Sequence, residues 1–400
     1  MIYQSDICII GNGAIGKTAA LGFAQAGASV TLIDAQPVAL APATTATDEW
    51  DLRVYAVNPQ AQALLARLKV WDTLDATRVT PVDAMHVAGD GARYAGQLDF
   101  DAYGARVGAL AWIVEDANLN HALDTALRFA SGVRRVQACA QVLHVDARAG
   151  TITLADGTSV QAELIVGADG AQSWVRAQAD IAIDYRPYAQ QAVVANFSTQ
   201  RPHHGVAYQW FTATEGIVAL LPLAGNRVSL VWSAPQELAE AMLAAPAGTL
   251  AERLAACCAD TLGALTPLGS GAVKAIPLSM LRPHALTAPR VALIGDAAHV
   301  IHPLAGQGMN LGFADVEALV RVVAERGSHR DCGDQRVLSR YARLRKEDIL
   351  LMQLAVDGLH RLFAADVEPL RIARNIGMSL VNKLPVLKRR LIAQAMGVRP

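Results

Sequence analysis

The chain contains no run of eighteen apolar residues, so no segment of it is expected to span a membrane as a helix. Nor has it any excess of base. Its 35 lysines and arginines face 36 acids, and a formal charge of −1 argues against a general basic surface for nucleic acid. Only five cysteines occur, Cys8, Cys139, Cys257, Cys258 and Cys332, without C-x-x-C or other metal spacing, so reduced thiols are expected and no disulfide framework. A Gly-x-Ser-x-Gly elbow is missing, which removes acyl-transfer chemistry from consideration. His299 and His302 lie three apart, but no ligand-rich cluster accompanies them and Pro303 breaks the register; no metal is expected. The opening residues lack a basic region followed by an apolar one, so the expectation is a cytoplasmic protein with no cleaved signal.

What is present is enough length for a large core, 400 residues of which 52% are hydrophobic, and therefore two or three units of ordinary domain size. Asp6 to Ile10 reads as a buried strand, followed by Gly11-Asn12-Gly13-Ala14-Ile15-Gly16, a helix to Ala26 and a second strand ending at Asp34. In that setting the first glycine permits a tight turn, the second lets a pyrophosphate approach, and the third lets helix and strand pack. The acid at the next strand end accepts from a ribose hydroxyl. Lys17 in the helix is expected to be solvated. Near the other end, Val291 to Ile294 is a short strand stopping at Gly295-Asp296. Pro303, Gly306 and Gly308 rule out regular helix in the loop beyond it, and helical spacing starts at Met309. Such a loop offers backbone N–H groups and a positive helix end to something negative or electron-rich.

Between these ends the chain changes character twice. An irregular stretch after Asp34 is expected to be mobile surface. Helices are expected from Pro59 to Lys69 and from Asp116 or Asn118 to Phe129, then strands with a turn at Asp156-Gly157, then a strand leading into Asp169-Gly170 and Ser173 to Arg176. From Ala189 to Trp232, four strand candidates with short breaks imply an inserted antiparallel sheet, which would serve as a substrate platform. His203 and His204 fall in a break and read as solvated. Helical composition covers Ala234 to Leu262, and Lys274 to Leu278 is a returning strand.

Three separated segments coincide with one known arrangement. Gly11, Gly13 and Gly16 with Asp34, then Asp169 and Gly170 with Ser173 and Arg176, then Gly295-Asp296 with its glycine-rich loop, resemble the motifs of the class A FAD-dependent aromatic hydroxylases. The wording around His302, Pro303 and Gln307 resembles the ubiquinone-biosynthesis branch. The resemblance implies an α/β fold like para-hydroxybenzoate hydroxylase: a Rossmann-like FAD-binding domain (residues 1–75, 110–180 and 280–330) interwoven with an antiparallel substrate domain (76–109 and 181–279) and a helical C-terminal region (331–400). It implies a monooxygenase using NAD(P)H and O2 on a phenolic, polyprenylated ubiquinone precursor. Asp296 would bind the ribityl chain, while Pro303, Gly306, Gln307, Gly308, Met309 and Asn310 would face the flavin ring. Arg53 falls near a family arginine in the mobile flavin region, and NAD(P)H would visit a transient site near it and Asp169. Trp210 stands where arginine is expected, which leaves substrate contacts open. A flavin-dependent prenyl reductase and a non-catalytic scaffold of a quinone-synthesis complex share the fingerprint. From Pro369 to Pro400 there are seven basic residues and no acid, with leucines at helical spacing. That segment is expected either to touch the inner face of a membrane or a membrane-bound partner, or to pack its apolar stripe on the core with its charges solvated.

Overall fold

The computed structural model describes residues 2–35, 50–89, 96–212, 214–269, 271–303, 306–364 and 382. The stretch expected to be mobile after Asp34 and the basic tail beyond residue 369, Asn382 excepted, lie outside them. The chain opens with β1 (Ile2–Ile10), α1 (Ala14–Gln25) and β2 (Val30–Asp34). Then come β3 (Val54–Val57), α2 (Pro59–Arg67), β4 (Val79–Val82), β5 (Ala84–Ala88), β6 (Gln97–Asp101), α3 (Ala102–Ala105), β7 (Ala111–Glu115) and α4 (Asp116–Arg128). Next are β8 (Val133–Gln137), β9 (Ala140–Val145), β10 (Gly150–Leu154), β11 (Ser159–Gly167), α5 (Trp174–Gln178), β12 (Ile183–Thr199), β13 (Val206–Thr212), β14 (Gly216–Leu223) and β15 (Arg227–Pro235). The last elements are α6 (Gln236–Ala244), α7 (Ala247–Leu262), β16 (Leu265–Pro267), β17 (Lys274–Pro283), β18 (Thr287–Ala288), β19 (Val291–Leu293), α8 (Gln307–Ala324) and α9 (Gln335–Ala364).

The main sheet has strand order β18-β19-β11-β1-β2-β8, with β19, β11, β1, β2 and β8 parallel, and an antiparallel flap of β10 and β9 on β11. Its central strands are apolar on both faces because both faces are covered. Ile7, Ile9, Leu32 and Leu164 point toward α1 and α8, whereas Cys8, Ile10, Ile33 and Ile165 point toward the α5 side. Truncating one of these to alanine would cost roughly 2–5 kcal/mol. A second sheet runs β16-β12-β15-β14-β13-β5-β6 with β17 also on β12; all its pairs are antiparallel except β13 with β5. Its back face, built from Val193, Phe197, Leu220, Leu230 and Trp232, packs on α6 and α7. The front face looks the other way. There Ala207 and Leu223 meet Val54 and Ala56, and Phe211 and Ile217 meet Val356 of α9. The long α9 thus reaches both sheets: Tyr341 bonds the Leu293 carbonyl at 2.7 Å, and Gln353 bonds that of Leu281 at 3.2 Å.

The α/β class with an inserted antiparallel sheet is borne out, and several local expectations are corrected. Helix α8 starts at Gln307, not Met309. Its first turn has no internal N–H partners to lose, so Gly308 costs little there. Lys17 is not solvated; it is buried, with Nζ 2.7 Å from Asp124 and 3.1 Å from Asn120, stapling α1 to α4. His203 is buried as well. Its Nε2 lies 2.8 Å from the carbonyls of Leu223 and Gly225, and its Nδ1 accepts from Gly205 N–H. The small sheet β3-β7-β4 and strands β5 and β6 have no counterpart in the sequence expectations, and β12 begins at Ile183, nine residues before the apolar run Ala192 to Phe197.

Candidate functional site

Gly11, with φ +113°, turns the chain out of β1; a Cβ there would lie 2.2 Å from the Ala168 carbonyl oxygen, and one at Gly16 would lie 1.9 Å from that of Gly11. These two glycines are required by packing. Gly13 differs, since a Cβ there meets nothing within 4 Å among the described residues. It stands at the N-cap of α1 with its side-chain position facing open space, where a pyrophosphate would approach the helix end. At the end of β2, Asp34 accepts from Asn12 Nδ2 at 2.9 Å. Asn12, a variable position of the fingerprint pattern, therefore fixes the acid that the pattern assigns to ribose.

The third motif forms one turn of 3-10 helix, Gly295 to Ala297, after β19. Gly295 has φ +59°, and a Cβ added there would lie 3.2 Å from Ile15 of α1. Asp296 is open to solvent, yet burial in the surrounding protein pushes its carboxyl up, against the opposing pull of His299 and Arg53. Accessibility to a small molecule combined with strong desolvation marks a group that lines a cleft. Arg53 has the same double character. Burial pulls its guanidinium down, but Tyr55, Asp116, Asp296 and Asp51 outweigh it, so a fixed cation stands 5.5 Å over the Tyr55 ring. Burial also pushes the Tyr55 phenol up, helped by Asp116, which accepts its hydrogen bond at 2.7 Å.

Gly306, with φ +62°, caps α8 and would touch Ala56 if it carried a Cβ; its N–H bonds the Pro303 carbonyl at 3.1 Å. Its N-cap residue, Gly306, has no side chain to offer, and the N–H groups of Gly308 and Met309 lie in the first turn that follows. A Cβ at Gly308 would also meet open space. Asn310 is placed otherwise than expected. Its Nδ2 bonds the Ala56 carbonyl at 2.8 Å and its Oδ1 takes Asn58 N–H at 3.0 Å, so the side chain holds β3 against α8 instead of facing a ligand. Half-buried Pro303 comes directly after His302, whose Nε2 lies 3.1 Å from Gln190 Oε1 and whose ring meets Tyr188 edge-on at 5.0 Å. Both partners come from a bulge in β12 between Pro187 and Gln191, which re-aims side chains toward the loop.

The second motif is a brace. Asp169 accepts from Ser173 Oγ at 2.5 Å and Val175 N–H at 3.0 Å, and Arg176 bonds the carbonyls of Ala171 and Ala297 at 2.7 and 3.0 Å. Asp169 is thus occupied in capping α5, and Arg176 links the second motif to the third. Gly170, with φ +83°, again leaves open space. Trp210 stacks on Tyr208 at 5.7 Å on the back of the second sheet, packed toward α6 and α7 and away from the front face. Neither spaced histidine is arranged for a metal: His299 is bonded to Asp315 and His302 to Gln190.

Three open glycine positions, the carboxylates of Asp34 and Asp296 and a helix that starts at a glycine N-cap suit a dinucleotide carrying a flavin. Residues 4–349 match the family model described as FAD binding domain. The chain is 36% identical to a ubiquinone hydroxylase of Rhodospirillum rubrum, covering 98% of this chain and 90% of the relative. It is 35% identical to the 3-demethoxyubiquinol 3-hydroxylase of Escherichia coli, covering 98% and 99%. Among solved structures, the p-nitrophenol 4-monooxygenase of Pseudomonas putida shares the fold with a TM-score of 0.77 at 17% identity, over 100% and 99% of the two chains. A probable FAD-dependent monooxygenase of Pseudomonas aeruginosa gives 0.74 at 22% identity, over 94% and 100%. FAD is the cofactor, the protein is a flavin-dependent hydroxylase, and the chain belongs to the FAD-binding monooxygenase family that includes the hydroxylases of ubiquinone biosynthesis.

Proposed function

We propose that the protein uses NAD(P)H and O2 to hydroxylate the aromatic ring of a phenolic, polyprenylated ubiquinone precursor. The observation that carries this reading is the position of Arg53 and Asp296. Both are accessible and electrostatically coupled: Asp296 stands on the turn after β19, and Arg53 leads into β3, whose Ala56 lies beside Gly306 on one side and the front of the antiparallel sheet on the other. Bound FAD supplies the electron transfer and the oxygen activation. The chain's own residues bind, orient and exclude water. Asp34, steadied by Asn12, accepts a ribose hydroxyl, and Asp296 accepts from the ribityl chain. The N-terminal end of α8 would hold the flavin ring and favour negative charge there. Arg53 pairs with a phosphate of NAD(P)H or with the flavin edge. Buried Ala192, Val194 and Gln209 on the front of the sheet shape a dry wall for the substrate ring. No side chain is assigned as general base.

The names of the two relatives above support a ubiquinone precursor as substrate, and a prenyl tail would bring it to a membrane. The basic, leucine-rich segment 369–400 suits peripheral contact with the inner face of that membrane or with a quinone-synthesis complex. Incubation with NAD(P)H, a prenylated phenol and isotopically heavy O2 tests the reaction: one heavy oxygen atom in the product ring is expected. Anaerobic reduction of a prenyl double bond, or hydrogen peroxide as the sole oxygen product, would overturn it. Arg53→Ala is expected to keep FAD while slowing its reduction or changing how reduction depends on substrate. Unaltered reduction kinetics with and without substrate would leave Arg53 a structural cation.

A further inference from the structure

One oxygen of Asp315 holds both ends of the turn that carries Asp296. Asp315 Oδ2 accepts from Gly295 N–H at 3.0 Å and from His299 Nε2 at 2.6 Å. The other oxygen, Oδ1, accepts from Arg345 Nε of α9 at 2.7 Å, and Arg345 continues to Asp348 at 2.9 Å and to the Leu311 carbonyl at 3.3 Å. The side chains of Asp315 and His299 are 0% exposed and that of Arg345 is 5% exposed. Burial pushes the Asp315 carboxyl up, but His299 and Arg345 outweigh it and hold it below its usual value. A charge set buried this deeply is costly to desolvate, and a well-packed apolar group would fill the space at less cost. Its use must then be geometric. Helix α8 lies directly on the turn, because a Cβ on Gly312 would come within 2.8 Å of Ile15 and 3.3 Å of Gly295 Cα.

We propose that His299, Asp315 and Arg345 are positioning residues for FAD: none reaches the cleft, and together they fix the Gly295–His299 turn so that Asp296 projects its carboxylate at one height and angle. The proposal rests on the reading of Asp296 as the ribityl acceptor. Without the His299 anchor the turn keeps only the Gly295 bond to Asp315, the Arg176 bond to the Ala297 carbonyl and its own backbone bonds, and the carboxylate would sample more directions and lose the hydrogen-bond geometry that binding requires. Arg345, on the helix that also braces the antiparallel sheet, keeps Asp315 charged and oriented so that a single oxygen can serve two donors.

The test compares His299→Leu, which keeps bulk and loses the donor, with His299→Gln, which restores an N–H at similar reach. Tyr341→Phe is the structural control, since it removes a buried hydrogen bond from α9 to the Leu293 carbonyl of β19 while keeping the Asp315 bonds to Gly295 and His299. Apoprotein of each is titrated with FAD at a temperature where far-ultraviolet dichroism shows it folded, and the visible dichroism of the bound flavin is recorded. His299→Leu should weaken FAD by about tenfold or more and alter the flavin dichroism. His299→Gln should stay within about threefold of wild type. Tyr341→Phe should lower thermal stability with no change in FAD affinity. Wild-type affinity and dichroism in folded His299→Leu would overturn the proposal, as would a Tyr341→Phe effect on FAD equal to that of His299→Leu. If His299→Leu does not fold, Arg345→Lys takes its place, with severalfold weakening expected and wild-type affinity refuting. Asp296→Ala separates the two readings: undiminished FAD affinity there would refute the ribityl assignment itself.

Discussion

Gly13 and Gly16 look alike in the fingerprint and should behave in opposite ways when replaced by alanine. A Cβ at Gly16 would sit 1.9 Å from the Gly11 carbonyl oxygen, well inside 3.0 Å, and the neighbour is backbone that cannot rotate away. Overpacking against movable side chains costs roughly 1–3 kcal/mol. Against fixed backbone the upper end applies, so Gly16→Ala should remove about 3 kcal/mol or more from a total of ~5–15 kcal/mol. Gly13 has φ −76° and ψ 176°, ordinary values for alanine, and an added Cβ meets nothing. Losing a glycine N-cap costs a few tenths of a kcal/mol to about 1, and restricting the unfolded chain returns about as much. Apoprotein stability should therefore move by less than ~1 kcal/mol. The methyl group, however, occupies the space in front of the helix N–H groups. One charge-assisted hydrogen bond lost or lengthened is worth roughly 1.5–3 kcal/mol, about ten- to a hundredfold in Kd. Urea unfolding of both apoproteins and fluorescence titration with FAD measure the two effects separately. A Gly16→Ala apoprotein as stable as wild type, or a Gly13→Ala protein with wild-type FAD affinity, would show that open and closed Cβ space does not distinguish their roles.

Asp296→Asn should weaken FAD yet leave the apoprotein at least as stable at neutral pH. Folding raises the Asp296 carboxyl above its unfolded value, so the ionised form carries a folding penalty at high pH that fades as pH falls through the raised value. For the same reason FAD affinity of the wild type should drop as pH falls through that value; an apo Asp296→Asn protein that melts lower would contradict this account. Lys17→Met should cost about 1–3 kcal/mol, less than a fully buried pair, because Asp124 is 21% exposed and keeps Arg135 at 3.1 Å. Its FAD affinity should be unchanged, and a weaker Kd with intact stability would instead indicate that Lys17 contacts a phosphate. Flotation with anionic vesicles should show salt-sensitive binding by the whole chain and none by a chain ending at Val367. Equal binding by both forms, or none by the folded whole chain, would remove the membrane role of the tail.

The parallel sheet and its three turns are legible in the sequence because each signal is local. Strand, glycine and acid succeed one another within the reach of a single βα unit, and Ile7 to Ile10 announces a strand covered on both faces by being apolar throughout. The antiparallel strands β13 to β15 are legible for the same reason. The sheet β3-β7-β4 is not, since Val54–Val57 and Ala111–Glu115 lie far apart in the chain and each is too short to show a period. His203 and Lys17 defeat a reading by residue type, because type alone favours solvent for both. Their burial depends on partners, the carbonyls of Leu223 and Gly225 and the side chains of Asn120 and Asp124, that no spacing rule connects to them.

Asn310 shows where the boundary falls within the site itself. It stands in the loop-to-helix stretch that the sequence marks as cofactor-facing, yet both ends of its amide are bonded to the segment Ala56–Asn58, some 250 residues earlier in the chain. That segment begins just after Arg53. An asparagine read as a ligand contact therefore braces the strand that follows Arg53 against α8. Arg345 bears on the opposite wall in the same way, through Asp315 to the turn of Asp296. Motif glycines and acids mark surfaces a cofactor must reach, and those are short-range facts about a turn. The residues that aim the acids and the arginine act across 20 to 250 positions of sequence, and only the folded contacts reveal which of several buried polar side chains has that task.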